Sequence, residues 1–286
     1  GVGTSKSRGA GRTTVDLFAG SFYNVYGGCN QEGLVGYTRV NVPSASSAKV
    51  NALFGGGKGY EPALFDAKPD LAERYCDHYV TCVDFKSSNV IVNDAIYGGN
   101  ENCRISCDTY INIEAPLVKS DGLLATVYGA GYGKETVSGR TNVFLNNGSN
   151  VYKAFGGGRD GNAFNFASLQ QWLKKQFRIA VGDEEANVDD KVTAYGNILN
   201  DFGTYLATNS ITLPDHTGTY VNSEGEYNGT FTNDILPTNE KPMPDYHQTN
   251  VHIMNGSNVS GYAYGGGFGA DAVVAGTTYL ELKGRS

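Results

Sequence analysis

The chain reads as all-β: a parallel β-solenoid of about seven rungs carrying an α-helical insertion subdomain. Three observations predict it. A strand pattern recurs seven times, a glycine-rich corner recurs six times, and the spacing between them is nearly constant. The clearest pair is residues 141–158, TNVFLNNGSNVYKAFGGG, and residues 249–267, TNVHIMNGSNVSGYAYGGG. The two share T-N-V, N-G-S-N-V and an aromatic followed by GGG.

The strand pattern is Thr-x-apolar-x-apolar. It stands at Thr13/Val15/Leu17, Thr38/Val40/Val42, Thr81/Val83/Phe85, Thr109/Ile111/Ile113, Thr141/Val143/Leu145, Thr249/Val251/Ile253 and Thr278/Leu280/Leu282. Alternation with period two and β-branched residues mark strands with one buried face. The corner is an aliphatic residue, an aromatic and glycine: Val25-Tyr26-Gly27, Leu53-Phe54-Gly55, Ile96-Tyr97-Gly98, Val127-Tyr128-Gly129, Ala154-Phe155-Gly156 and Ala263-Tyr264-Gly265. Glycine suits a corner because it reaches positive φ without penalty and lets backbones approach closely.

From the aromatic to the next Thr is 12 residues after Tyr26 and Tyr97, 13 after Tyr128 and 14 after Tyr264. The gap is 27 after Phe54 and 94 after Phe155, so both extensions fall just after a glycine corner. Where it is cleanest, from Tyr128 to Phe155, the unit is 27 residues, which fits three short strands and three corners. Successive units would pair in parallel at about 4.8 Å, with Thr, Val, Ile and Leu in inward ladders.

This divides the chain into a flexible arm over residues 1–12, rungs over 13–158 with a short insertion at 58–80, an inserted subdomain at 159–248, and further rungs over 249–286. The short insertion carries a helical stretch around residues 69–74. In the large one, residues 163–179 read as an amphipathic helix with Leu169, Trp172, Leu173 and Phe177 on one face, and residues 187–206 as a second. The acidic run of Asp183, Glu184, Glu185, Asp189 and Asp190 reads as helix N-terminal charge, since the D-x-D-x-D-G of a calcium loop is absent.

Composition narrows the function classes. The 286 residues hold 39 Gly, 8 Pro and 19 Tyr against 1 Trp, so glycines fill structural positions in a folded chain. The net charge is -7 and no basic run occurs, which gives no footprint for nucleic acid or an anionic membrane. No apolar run reaches membrane-spanning length. The five cysteines are too few and too odd in number for a disulfide scaffold. Cys76-Asp77-His78 with Cys82 is half of a zinc pattern, but no C-x-x-C accompanies it. The Asn-Gly steps at Asn147 and Asn255 read as turns. No metal site and no cofactor are expected.

The unit T-x-V-x-[IL]…G-S-N-V…[AV]-[YF]-G-G-G resembles the glycine-rich repeats of adhesin-like proteins of gut bacteria, Bacteroides and its relatives. It is also similar to the wider set of pectin-lyase-like surface proteins. The resemblance implies a right-handed parallel β-helix and a secreted or cell-surface location. It covers the rungs and not residues 159–248.

Two functions follow as expectations. The first is a non-catalytic adhesin-like module, part of a longer repeat protein or assembly, that binds a glycan or a host or bacterial surface protein. The second is a carbohydrate-active β-helix enzyme, a polysaccharide lyase or hydrolase. The residues between the inward ones form two rows: Thr14, Arg39, Cys82, Tyr110, Asn142, Asn250 and Tyr279, then Asp16, Asn41, Asp84, Asn112, Phe144, His252 and Glu281. Both rows are expected on a solvated face. Under the enzymatic reading Asp16 and Asp84, about 9.6 Å apart over two rungs, are the carboxylates, with Arg39 between them for a uronate. Under the binding reading the two insertions leave the coil at one corner and flank a concave surface lined by Trp172, Tyr75 and His78. No cap is visible at either end, so end-to-end self-association through exposed edges is also expected.

Overall fold

The structure, a computed structural model, describes residues 12–31, 33–59, 76–102, 105–133, 136–164, 220–222, 225–227, 247–275 and 277–283. Throughout these residues the chain is all-β. Thirteen strands carry the repeat. They are β1 (Arg12–Asp16), β2 (Ser21–Tyr26), β3 (Gly33–Val42), β4 (Lys49–Phe54), β5 (Cys76–Phe85), β6 (Ala95–Tyr97) and β7 (Ile105–Ile113), followed by β8 (Thr126–Tyr128), β9 (Thr141–Leu145), β10 (Ala154–Phe155), β11 (His247–Ile253), β12 (Ala263–Tyr264) and β13 (Thr277–Leu282). The odd strands lie side by side in one sheet and the even strands in another. Every pairing between them is parallel. Each strand meets its equivalent in the next repeat, an arrangement consistent with a β-solenoid.

The register follows the sequence pattern. Val15, Val40, Val83, Ile111, Val143, Val251 and Leu280 form one ladder across all seven odd strands. Val40, Val83, Ile111, Val143 and Val251 join Leu53, Ile96, Val127 and Ala154 of the even strands in one continuous core, with Val15 packed against it, while Leu280 at the end of the ladder is exposed. Each aliphatic side chain taken from water there contributes roughly 1.5–3 kcal/mol.

The leading threonine also points inward. Thr13, Thr38, Thr81, Thr109, Thr141 and Thr249 each donate Oγ1 to the carbonyl of their own repeat's corner glycine at 2.5 Å. One hydroxyl per repeat thus ties the odd sheet to the even sheet and satisfies a carbonyl removed from water.

The corner glycines are there for space. Residues 27, 55, 98, 129 and 156 lie outside the positive-φ region, contrary to one of the two reasons expected for them. A Cβ on Gly98 would lie 2.2 Å from the carbonyl oxygen of Gly129 in the next repeat, a distance no side chain tolerates. Positive φ belongs instead to the Asn-Gly turns. Asn147 and Gly148 have φ of 52° and 76°, and Ser149 N–H donates to Asn146 O across them at 3.0 Å. The pair Asn255-Gly256 repeats the turn with φ of 50° and 77°.

On the other side of the even sheet the corner aromatics stack. Tyr26, Phe54, Tyr97, Tyr128, Phe155 and Tyr264 form one column with centroids 4.7–5.1 Å apart and planes within 13°. Tyr132 stacks on Tyr97, and Arg159 lies over Tyr132 while its Nη1 reaches Asp94 at 3.3 Å. Burial pushes the Tyr128 hydroxyl up to about 12.

The strand framework reaches further than the sequence boundaries. Lys58 bridges Asn30 and Glu101, and Cys76–Val80 run in β5 beside β3 and β7, so only residues 60–75 fall between described segments there. In the larger case Asn162–Phe164 is a strand paired with Val137–Ser138 and Val274–Ala275, at the place where a helix was expected to begin. The described residues therefore run on to Phe164 within the odd-sheet ladder before the larger gap, and resume at Cys76 in β5 after the smaller one. An antiparallel pair, Tyr220–Asn222 with Gly225–Tyr227, lies inside the larger extension. The expected helices at residues 69–74, 165–179 and 187–206 lie outside the described residues, as does the arm up to residue 11.

Candidate functional site

The outer face of the odd sheet holds both polar rows in the expected order, because period-two alternation carries every second side chain away from the core. Its environment is not the solvated one expected. Cys82, Tyr110, Asn142 and Asn250 of one row are buried, as are Asp84, Asn112, Phe144 and His252 of the other, and only the two ends are open. The polar groups are bonded accordingly. Asn142 and Asn250 donate Nδ2 to the carbonyls of Thr109 and Thr141, both at 3.3 Å. Asn112 Nδ2 donates to Glu114 Oε1 at 2.7 Å. Burial pushes the Glu114 carboxyl up, but the Asn112 bond and the Lys86 charge outweigh it and leave it below its ordinary value.

The structure pairs two of the three catalytic candidates and leaves the third apart. Asp84 is held by Arg39, with Oδ2 2.5 Å from Nη2 and 2.8 Å from Nε. Burial disfavours the Arg39 charge, yet Asp84 outweighs that and raises the guanidinium above its usual value. Burial drives the neighbouring Cys82 thiol well up, so it is held as the thiol. Asp16 sits exposed at the end of the row and accepts from Asn41 Nδ2 at 2.8 Å. Arg39 therefore neutralises one carboxylate instead of standing free between two.

Of the three concave-surface candidates, Trp172 and Tyr75 lie outside the described residues. His78 is fully buried, and its Nε2 accepts the Cys29 backbone N–H at 2.9 Å across the glycine turn at Gly28. That is a packing role with no surface to offer. Cys82 is a free thiol, and among the described residues no group of His, Cys, Asp and Glu converges as for a metal. Among them, too, no helix is long and apolar enough to cross a membrane.

The buried row closes on a His–carboxylate pair absent from the sequence candidates. His252 stacks on Phe144 at 4.9 Å and 11°, and its Nδ1 lies 2.8 Å from Glu281 Oε2. Burial lowers the His252 pKa against the opposing pull of Glu281. The bond from His252 holds the Glu281 carboxyl below its ordinary value. The lowered His252 value favours a neutral imidazole at pH 7, in the tautomer whose Nδ1–H donates to the Glu281 carboxylate.

An open aromatic surface lies along the edge of the even sheet. Tyr152 and Tyr262 are exposed, Tyr262 at 60%. Their repeats are in register through Asn150–Val151 and Asn258–Val259. One extra residue, Gly261, brings Tyr262 level with Lys153: Ala154 N–H donates to Tyr262 O, as Gly261 N–H does to Tyr152 O. Lys153 Nζ consequently lies 4.8 Å from the Tyr152 ring centroid and 5.7 Å from that of Tyr262. Tyr264 is tilted 41° to Tyr262 at 6.1 Å. Beside them run Asn and Ser ladders: Asn258 Nδ2 donates to Asn150 Oδ1 at 3.0 Å, and Ser149 and Ser257 hydroxyls pair at 3.0 Å. The sequence signal was the pair Tyr152-Lys153 and Tyr262 in matched repeats, which their place beside a corner obscured.

Comparison with protein-family models, curated proteins and solved structures finds no match to this chain.

Proposed function

We propose that the chain is a right-handed parallel β-helix module, displayed outside the cell, that binds carbohydrate without transforming it. The observation that carries this reading is the Tyr152–Lys153–Tyr262 surface. It sets two solvent-facing rings around a cation and beside rows of amide and hydroxyl groups. Aromatic faces take the apolar faces of sugar rings, while amides, hydroxyls and an ammonium take their hydroxyls and carboxylates. The β-sheet scaffold holds these groups in repeat register, which limits the ordering cost of binding. The adhesin-like resemblance of the repeats points the same way. The enzymatic alternative gains little from the geometry, since Asp84 is engaged by Arg39 and buried while Asp16 stands alone at the end of the row.

Titration calorimetry against neutral and uronate-containing oligosaccharides tests the reading. Binding should weaken about tenfold or more in Tyr262→Ala and Tyr152→Ala, the loss of an aromatic anchor. Lys153→Ala should act chiefly on the acidic sugars. Binding untouched by all three substitutions, or product release from a polyuronate, would refute it.

A further inference from the structure

Arg159 reaches back across two repeats in the middle of the stack. It follows β10, yet its Nη1 donates to Asp94 Oδ1, just before β6, and to the Tyr97 hydroxyl, each at 3.3 Å. The Tyr97 hydroxyl in turn donates to Asp94 Oδ2 at 3.2 Å. The three groups close a cycle of hydrogen bonds, and the guanidinium lies 5.1 Å from the ring centroid of Tyr132, in the repeat between them. The cycle fixes these groups without exhausting them. Arg159 and Asp94 are both partly exposed. Only Nη1 of the guanidinium is engaged, and among the described residues nothing accepts from Nε or Nη2. Each Asp94 oxygen accepts one bond from a side chain and has a further lone pair to offer.

A third group faces the same place. Tyr128 stacks on Tyr97 at 5.1 Å with planes 7° apart, so its hydroxyl lies one rung along from that of Tyr97. The residue is 7% exposed, yet its hydroxyl has no hydrogen-bond partner among the described residues and is not sealed from solvent either. Burial keeps it protonated at neutral pH, and Arg159, Asp94 and Asp160 are the charges that act on it. A phenol this deeply buried with no acceptor, beside a carboxylate and a guanidinium with capacity to spare, has the form of a polar binding site. Complete repeats lie on both sides, so the arrangement does not depend on either end of the stack.

We propose that Asp94, Arg159 and Tyr128 form a subsite for a neutral sugar residue, recognised through adjacent hydroxyls. One sugar hydroxyl donates to Asp94, its neighbour accepts from Arg159 Nε or Nη2, and the Tyr128 hydroxyl donates to a further sugar oxygen. The pair carries one charge of each sign and offers donors and acceptors together, which suits hydroxyls. A carboxylate would meet repulsion from Asp94 and Asp160. The hydrogen-bonded cycle holds the groups in place beforehand, so their ordering cost falls on folding and not on binding. The subsite rests on the carbohydrate reading above and extends it. Val127 N–H donates to Lys153 O, which sets Thr126 opposite Lys153 on the outer face of the even sheet. Tyr128 is then the diagonal neighbour of Lys153, about 8 Å away by strand spacing and rise. Lys153 takes an acidic unit of the glycan, and Asp94 with Arg159 takes a neutral one.

The test uses the 286-residue protein in titration calorimetry against oligosaccharides of glucan, mannan, galactan and galacturonan. At least one neutral oligosaccharide should bind. Tyr128→Phe should weaken it about fivefold, the loss of one hydrogen bond, and Asp94→Asn at least about tenfold, the loss of a charge-assisted one. Tyr128→Phe keeps the ring and its stack, so its melting temperature should stay within about a degree of the parent's, which separates a binding role from a structural one. The O-methylated form of the same oligosaccharide keeps its ring faces and loses its hydroxyl donors. It should bind more weakly, and Asp94→Asn should weaken it no further. Neutral binding that falls in Tyr152→Ala but is indifferent to Tyr128→Phe and Asp94→Asn would overturn the subsite and leave the carbohydrate reading standing. Binding of galacturonan alone would do the same. Absence of binding by every oligosaccharide would overturn both.

Discussion

The Thr141 hydroxyl donates to the carbonyl of Gly156 at 2.5 Å across the interior, and the residue after it, Asn142, is buried on the opposite face. The bond couples the two sheets at a point where neither partner reaches water. Thr141→Val keeps the shape and removes the donor, leaving the Gly156 carbonyl unsatisfied. It should cost about 1–3 kcal/mol of unfolding free energy in urea titration. Thr141→Ser retains the hydroxyl and should recover most of the loss. Equal stability of the Val and Ser variants would show that the bond contributes nothing.

Glycine at the corners answers to the neighbouring repeat. Gly98→Ala would press a methyl group to 2.2 Å from the Gly129 carbonyl and 3.0 Å from Thr109, both fixed in paired strands. The cost should be about 3 kcal/mol, at the upper end of overpacking penalties. Gly266 meets nothing within 4 Å, so Gly266→Ala should leave the melting temperature unchanged within about a degree. Similar shifts for the two would mean that the corners relax freely.

The same contrast extends to the two faces of the odd sheet. Alternation alone makes Val143→Asp harmful and Asn142→Asp benign. The structure buries both positions, so both carboxylates should destabilise, each by roughly 3–5 kcal/mol unless protonated. Thermal melts at pH 7 and pH 4 check this: a buried carboxylate without a counter-charge regains stability as it protonates at low pH. A melting temperature for Asn142→Asp equal to that of the parent would return this face to solvent.

Much of the scaffold was legible because threonine and β-branched residues at period two mark both the strand and its inward phase. The identity of residues 141–143 and 249–251 then sets their register. The environment of the outer face was harder to read, because alternation tells which residues share a face and not whether water reaches it. The signals were Cys82 and Tyr110 in one row and Phe144 in the other, apolar residues in rows taken as solvated. The strand at Asn162–Phe164 was missed because it pairs in register with no leading threonine. The odd strands also extend upstream of theirs, as Val35 and His78 do in β3 and β5. His78 itself was read as lining a concave surface because the sequence does not reveal that Gly28 brings the chain over its ring.

His252 and Glu281 make stability respond to pH in two steps. Burial holds the folded-state pKa of His252 below its ordinary value near 6.5. On acidification the unfolded chain therefore takes up the imidazole proton first, and stability falls as pH drops from about 6.5 toward the depressed folded value. Glu281 is also depressed, first by the His252 hydrogen bond and further by Lys283, whose Nζ lies 2.9 Å from Oε1. Its contribution is complete above about 4.5 and is lost as pH falls through its folded value. The melting temperature should decline between pH 7 and 5 and again below 4.5. His252→Gln removes the titrating ring while keeping a group able to donate to Glu281. It should flatten the decline between pH 7 and 5, preserve much of the fall at lower pH, and lower the melting temperature at pH 7 through the lost stack on Phe144. A pH profile in His252→Gln parallel to that of the parent between pH 7 and 5 would show that another group governs that range.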